Sequence, residues 1–249
     1  MKALTVFAVI FATSALVGQA YGQQVCDEKT APSLKKKLSA HYDVDVQRGQ
    51  KERTTSLYLW RDNEKVAHVY PATQITESWT LVRDKYIKPT RYFDAHERAI
   101  EYQPGETIHG KKEDDFSYRY QLVSNKLIAS MTLVKSEGTG CEKTELYSLE
   151  TPNQTLELTW LPHLELIKHF VVKEPNMVRE WTLQDVNYSA DTNAFFTKRE
   201  SYQSTDYADI GDDHTDPFLT KMVNQGFIEA GASGYYDQHG QAIGSSHTH

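Results

Sequence analysis

Three histidines near the C-terminus, His239, His247 and His249, are the residues of this 249-residue chain best suited to local chemistry. Neutral imidazoles bind divalent transition metals such as zinc, copper or nickel, and a small, polar segment can wrap them around an ion. Their spacing matches no defined metal motif, and the stretch around them, GASGYYDQHGQAIGSSHTH, reads as a loosely ordered tail over residues 232–249. A second group, Asp206, Asp209, Asp212, Asp213 and Asp216, is rich in oxygen ligands but lacks the alternating ligand positions and distant Glu of a calcium loop. Turn formation and helix capping account for those aspartates. His163, Glu165 and His169 would share a strand face. Residues six apart on a straight strand are separated by about 20 Å, so the two histidines cannot bind one ion.

Covalent chemistry finds little support. The chain has no G-x-S-x-G elbow, no H-E-x-x-H, no phosphate loop and no dinucleotide fingerprint. No catalytic residue is assigned, a divalent transition metal is the one cofactor the sequence offers, and a binding protein is expected rather than an enzyme.

The N-terminus points to export. Lys2 supplies a positive start, Ala3 to Val17 is apolar or small throughout, and Ala20-Tyr21-Gly22 resembles a signal-peptidase site, with cleavage expected after Gly22 and, as second choice, after Ala20. Val25 before Cys26 is unlike the small residue that precedes a lipid-acceptor cysteine. Cys26 and Cys141 are the only two thiols, and an even count in an exported chain is read as a structural disulfide. Residues 1–22 are therefore expected to be a leader and 23–231 a single β-rich domain, periplasmic or secreted. The formal charge of −7 becomes −8 without Lys2, which argues against nucleic acid or anionic lipid as the main partner. No later run approaches the roughly 20 apolar residues of a membrane helix.

These side chains must be positioned by a mainly β framework. Ser56–Arg61, Lys65–Tyr70, Thr80–Ile87, Thr90–Asp94 and Arg98–Tyr102 are short aromatic and β-branched runs separated by turn chemistry, an antiparallel meander. A second group comprises Thr144–Leu149, Gln154–Trp160, Leu164–Val172, Val178–Val186 and Ala194–Arg199; Leu156, Leu158 and Trp160 alternate with Glu157 and Thr159. Helical spacing is expected at Pro32–Tyr42, from Leu34, Leu38 and Tyr42, and at Ser124–Val134. A third helix is expected from Asp216-Pro217 to about Ile228, with Phe218, Met222 and Phe227 as its apolar stripe.

An amphipathic segment, a meander containing SLYLWRD, a helical interruption and further strands resemble, in that order, the bacterial periplasmic lipoprotein-carrier superfamily with the LolA-like fold. The resemblance spans roughly residues 33–200 and rests on element order. It implies an unclosed, curved antiparallel sheet, a half-barrel wrapped around helices, and an apolar cavity for a lipid or lipoprotein acyl chain. It also implies a functional arginine, for which Arg48, Arg53 and Arg61 are the available positions. Trp60, Trp79, Trp160 and Trp181 lie on or beside the expected strands and are the candidate ligand-binding residues; they either line such a cavity or fill a packed core. The competing reading is an envelope-associated interaction or metal-binding protein that uses the histidine tail.

Overall fold

A computed structural model describes residues 26–108, 111–210, 216–224, 235–236 and 242–243. Its elements in chain order are α1 (Ala31–Leu34), β1 (Lys37–Arg48), β2 (Lys51–Asp62), β3 (Lys65–Tyr70), β4 (Ile75–Val82), β5 (Tyr86–Phe93), β6 (Arg98–Glu101), β7 (Thr107–Ile108), β8 (Lys111–Lys112), α2 (Phe116–Gln121), α3 (Asn125–Ser130), β9 (Thr132–Glu137), β10 (Thr144–Glu150), β11 (Thr155–Leu161), β12 (Leu166–Glu174), β13 (Met177–Asn187), α4 (Thr192–Glu200), β14 (Gln203–Asp206), α5 (Pro217–Asn224), β15 (Tyr235–Tyr236) and β16 (Ala242–Ile243). Twelve strands form one unclosed sheet in the order β14-β6-β5-β4-β3-β2-β1-β13-β12-β11-β10-β9. Two meanders, β1 to β6 and β9 to β13, are joined by the antiparallel pair β1–β13, and only β14 runs parallel to its neighbour. This is the curved half-barrel expected from the sequence.

Side-chain parity divides the sheet into two faces. Leu57, Leu59 and Arg61 of β2 are buried on the face that receives α2, whereas Trp60 points to the opposite, outer face. Leu38, Tyr42, Leu59, Val66, Leu158, Leu164, Leu166 and Ile167 are at most 2% exposed and belong to the main core. A smaller cluster of Ile75, Phe93, Ile100, Tyr102, Leu219 and Met222 lies beneath α5.

Three expected elements differ. The helix over Pro32–Tyr42 is only the single turn of α1; Leu38, Ala40 and Tyr42 are buried at every second residue because this segment pairs on both sides, with β2 and β13. Residues four apart share a face in strand and helix alike, and that made the pattern ambiguous. The strand over Thr80–Ile87 is a hairpin broken at Arg83 and Asp84, which have φ of 54° and 53°. Ala194–Arg199 belongs to a helix, capped by the Asp191 side chain, which accepts from the Ala194 N–H at 2.9 Å. Helix α3 begins at the expected Ser124 cap but stops at Ser130, and the chain continues as edge strand β9. At α5, Leu219 and Met222 are the buried residues, Phe218 is half-buried, and Phe227 lies outside the described residues.

Candidate functional site

Arg61 organises one end of the helix face. It is fully buried, and among the described residues its hydrogen bonds all go to main-chain carbonyls. Nε donates to Tyr120 at 2.8 Å, Nη1 to Leu164 at 2.8 Å and to Lys35 at 3.3 Å, and Nη2 to Glu165 at 2.5 Å. Its guanidinium also lies 4.1 Å from the centre of the Tyr120 ring, whose hydroxyl donates to the Lys35 carbonyl at 3.1 Å. One side chain thereby fastens the end of α1, helix α2 and the β11–β12 turn to β2. Burial opposes the charge and holds the Arg61 pKa below its usual value. The carbonyl dipoles and the Lys35–Glu165 ion pair, 2.7 Å long and partly exposed, surround it. Glu165 has φ of 53°, a left-handed conformation uncommon for a side-chain-bearing residue, in the turn whose carbonyls bind Arg61. Of the three arginines available from the resemblance, Arg61 is thus the buried one; Arg48 is exposed and Arg53 half-buried, both toward the other end of the strands.

Beside Arg61, helix α2 covers a buried polar group. The His68 ring Nε2 hydrogen-bonds the Arg119 carbonyl at 2.7 Å, and the Arg119 guanidinium stacks 4.4 Å above Trp79 and pairs with Glu113 at 2.5 Å. Burial, and then the charge of Arg119, push the His68 pKa down to about 3, so the imidazole is neutral. Glu77 and Arg91 form a buried cross-strand pair at 2.5 Å on the same face.

Away from Arg61, the helix face changes character. Val44, Tyr147, Leu149, Trp181 and Leu183 are only partly buried against the main core, as are Leu127 and Ile128 of α3. Leu133 at the neighbouring edge strand is 51% exposed. These side chains make a partly exposed apolar stretch of the helix face over β13, β1 and β10, next to Phe170, which stacks on Trp181 with ring centres 5.5 Å apart.

The four tryptophans separate accordingly. Trp79 and Trp160 are 4% and 5% exposed and belong to the packed core, and Trp181 lies half-buried on the partly exposed apolar stretch. Trp60 lies on the outer face, stacked at 4.1 Å on Phe195 of α4, so it shares no surface with the others. The disulfide expected from cysteine count is present between Cys26 and Cys141, with Cα atoms 5.6 Å apart. His239, His247 and His249 lie outside the described residues, and no metal-binding cluster occurs among the described ones. His169 instead hydrogen-bonds Glu180 at 2.6 Å, while His163 lies in the β11–β12 turn. Of the aspartates, Asp206 accepts from Gln103 and from the Ala208 N–H, and Asp216 pairs with Arg98 at 2.6 Å while capping α5; Asp212 and Asp213 lie outside the described residues. Sequence reasoning missed the Arg61 hub. Its one signal was Arg61 falling in phase with Leu57 and Leu59.

No protein-family model matches this chain, and no curated protein does. Solved structures do resemble it at low identity. PNGF-II aligns over 68% of this chain and 31% of its own, with 8% identity and a TM-score of 0.38, so this chain spans about a third of that protein. A DUF1329 family protein from Desulfovibrio piger aligns over 67% of this chain and 95% of its own, at 11% identity and TM-score 0.33. A domain assigned to outer membrane lipoprotein sorting, from Vibrio parahaemolyticus, aligns over 68% and 96%, at 8% identity and TM-score 0.32. Among the described residues, no helix is long and apolar enough to cross a membrane.

Proposed function

We propose that this chain is an exported, non-enzymatic binding protein that holds an apolar chain, from a lipid or a lipoprotein, in a trough between α3, β10, β13 and β1. The observation that supports this reading is the uneven burial of one sheet face. At the Arg61 end the face is packed solid and tied down by α2. Over Val44, Tyr147, Leu149, Trp181 and Leu183 it is apolar yet incompletely covered. Covering such surface is favourable by roughly 25 cal/mol per Å², which suffices for reversible capture without a covalent step. The leader-like residues 1–22 support a periplasmic or secreted location, where residues 23–231 act as one domain.

The test compares two tryptophans. A solvatochromic apolar dye should bind the wild-type chain and lose at least ten-fold in affinity with Trp181→Glu, because a carboxylate on the trough floor must be desolvated when the dye enters. Trp60→Ala, on the outer face, should leave dye binding unchanged. Equal effects of the two substitutions would reject the trough.

A further inference from the structure

We infer that the occupant of the trough is an amphiphile with an anionic head, its chain over Trp181 and its head on a cationic rim at the hairpin ends; this rests on the apolar-ligand reading above. Strand parity sorts charge in the β1–β2 hairpin. Val44, Val46, Arg48, Lys51, Arg53 and Thr55 take the helix face, and Asp45, Gln47, Glu52 and Thr54 take the outer face. The register continues these rows across the sheet. Thr55, Val44, Trp181, Phe170, Leu158 and Tyr147 form the row that contains the trough floor. The next row outward reads Arg53, Val46, Arg179, Val172, Leu156 and Leu149, and the last reads Lys51, Arg48, Met177 and Glu174. Apolar floor therefore gives way within one residue pair to four cations and a single carboxylate, on a chain whose net charge is −7.

Three further observations point to a ligand there. Arg179 Nε is buried with no hydrogen-bond partner among the described residues, and its Nη2 reaches Glu174 only at 3.5 Å. An open cleft of about 510 Å³ adjoins this rim, between the β10–β11 and β12–β13 turns, and of the four cations Arg48 lines it, with Glu174 and Met177. Arg48 also stands directly opposite Lys51, an exposed like-charge cross-strand pair whose repulsion an anion between them would relieve. Planar guanidinium groups suit a carboxylate or phosphate head. An anionic head departs from the expectation, drawn from net charge, that anionic lipid is disfavoured, because one head group answers to the local rim rather than to the total charge.

Quenching of tryptophan fluorescence tests the assignment with two probes, a terminally brominated dodecanoate and the matching bromododecanol. The wild-type chain should bind the carboxylate on the order of ten-fold more tightly, as a charge-assisted contact implies. The double variant Arg53→Gln/Arg179→Gln should erase that preference while binding the alcohol as before, which also reports that it is folded. Butyrate, with the charge and almost no chain, should compete at least a hundred-fold more weakly than dodecanoate. Equal wild-type affinities, or a preference retained in the double variant, would overturn the cationic rim and leave the trough standing. Butyrate competing as well as dodecanoate would show a free-anion site and overturn the amphiphile. Failure of both brominated probes to quench would remove the apolar-ligand reading and this inference with it.

Discussion

Replacing Arg61 by Met keeps an unbranched chain of similar reach and removes every donor at the hub. Four carbonyls then lose a partner; Lys35 retains the Tyr120 hydroxyl, so those of Tyr120, Leu164 and Glu165 lose the most. An unsatisfied buried polar group costs about 1–3 kcal/mol, offset here by no longer burying a guanidinium, and a net loss of about 3–5 kcal/mol is expected. For a domain of this size each kcal/mol moves Tm by about 2–4 °C, giving a fall of roughly 6–20 °C by circular dichroism. The loss should also be local. Amides of α2 and of the β11–β12 turn should exchange faster while those of β4 and β5 keep their protection, since Arg61 is what fastens the former to β2. Arg61→Lys should recover only part of the stability, because an ammonium cannot span four carbonyls or stack on Tyr120. A Met variant that melts within about 2 °C of wild type, by the same scaling, would refute the view that these carbonyls depend on Arg61.

Other outcomes follow from the same geometry. Removing the disulfide with Cys26→Ala/Cys141→Ala should lower stability by about 4–5 kcal/mol in the loop-entropy model, read by urea unfolding with and without reductant; equal midpoints for the variant and the oxidised wild type would contradict it. His68, held down to about pKa 3 in the fold, takes up its proton near pH 6.5 only when unfolded. Stability therefore declines as pH falls below about 6.5, by up to about 1.4 kcal/mol per unit, and His68→Gln should flatten the curve between pH 6.5 and 5. An unchanged slope would show that His68 is not buried neutral. Asp216 donates no proton but accepts the Phe218 N–H at 2.8 Å and Arg98 at 2.6 Å, so Asp216→Ala should cost about 1–2 kcal/mol and raise exchange in α5; protection unaltered there would count against the cap.

The strand content was legible because alternation has few mimics over six or more residues; β11, with Leu156, Leu158 and Trp160 inward, is the clearest case. The resemblance drawn from element order matched the observed half-barrel. Short apolar repeats misled wherever two periods coincide, as at Leu34, Leu38 and Tyr42. The segment Ala194–Arg199 failed differently: Phe195 and Phe196 suit a strand by type, but the Asp191 cap and the stacking of Phe195 on Trp60 decide for a helix. The candidate site was half visible. Aromatic residues on strands could be found from sequence, yet whether Trp60 or Trp181 faces the trough depends on register, which pairing between distant strands sets. Arg61 was hidden for the same reason, since its partners come from residues 35, 120, 164 and 165. The charge sorting of Arg48, Lys51 and Arg53 against Asp45 and Glu52 was present in the sequence and acquires meaning only beside Arg179 and Trp181.

The most direct test of the central claim is native mass spectrometry of the mature chain, purified gently from its own host, with one aliquot treated with chelator. The account predicts a bound species of lipid mass that survives chelation and is lost in Trp181→Glu. A bare polypeptide, or a stoichiometric metal removed by the chelator, would contradict it.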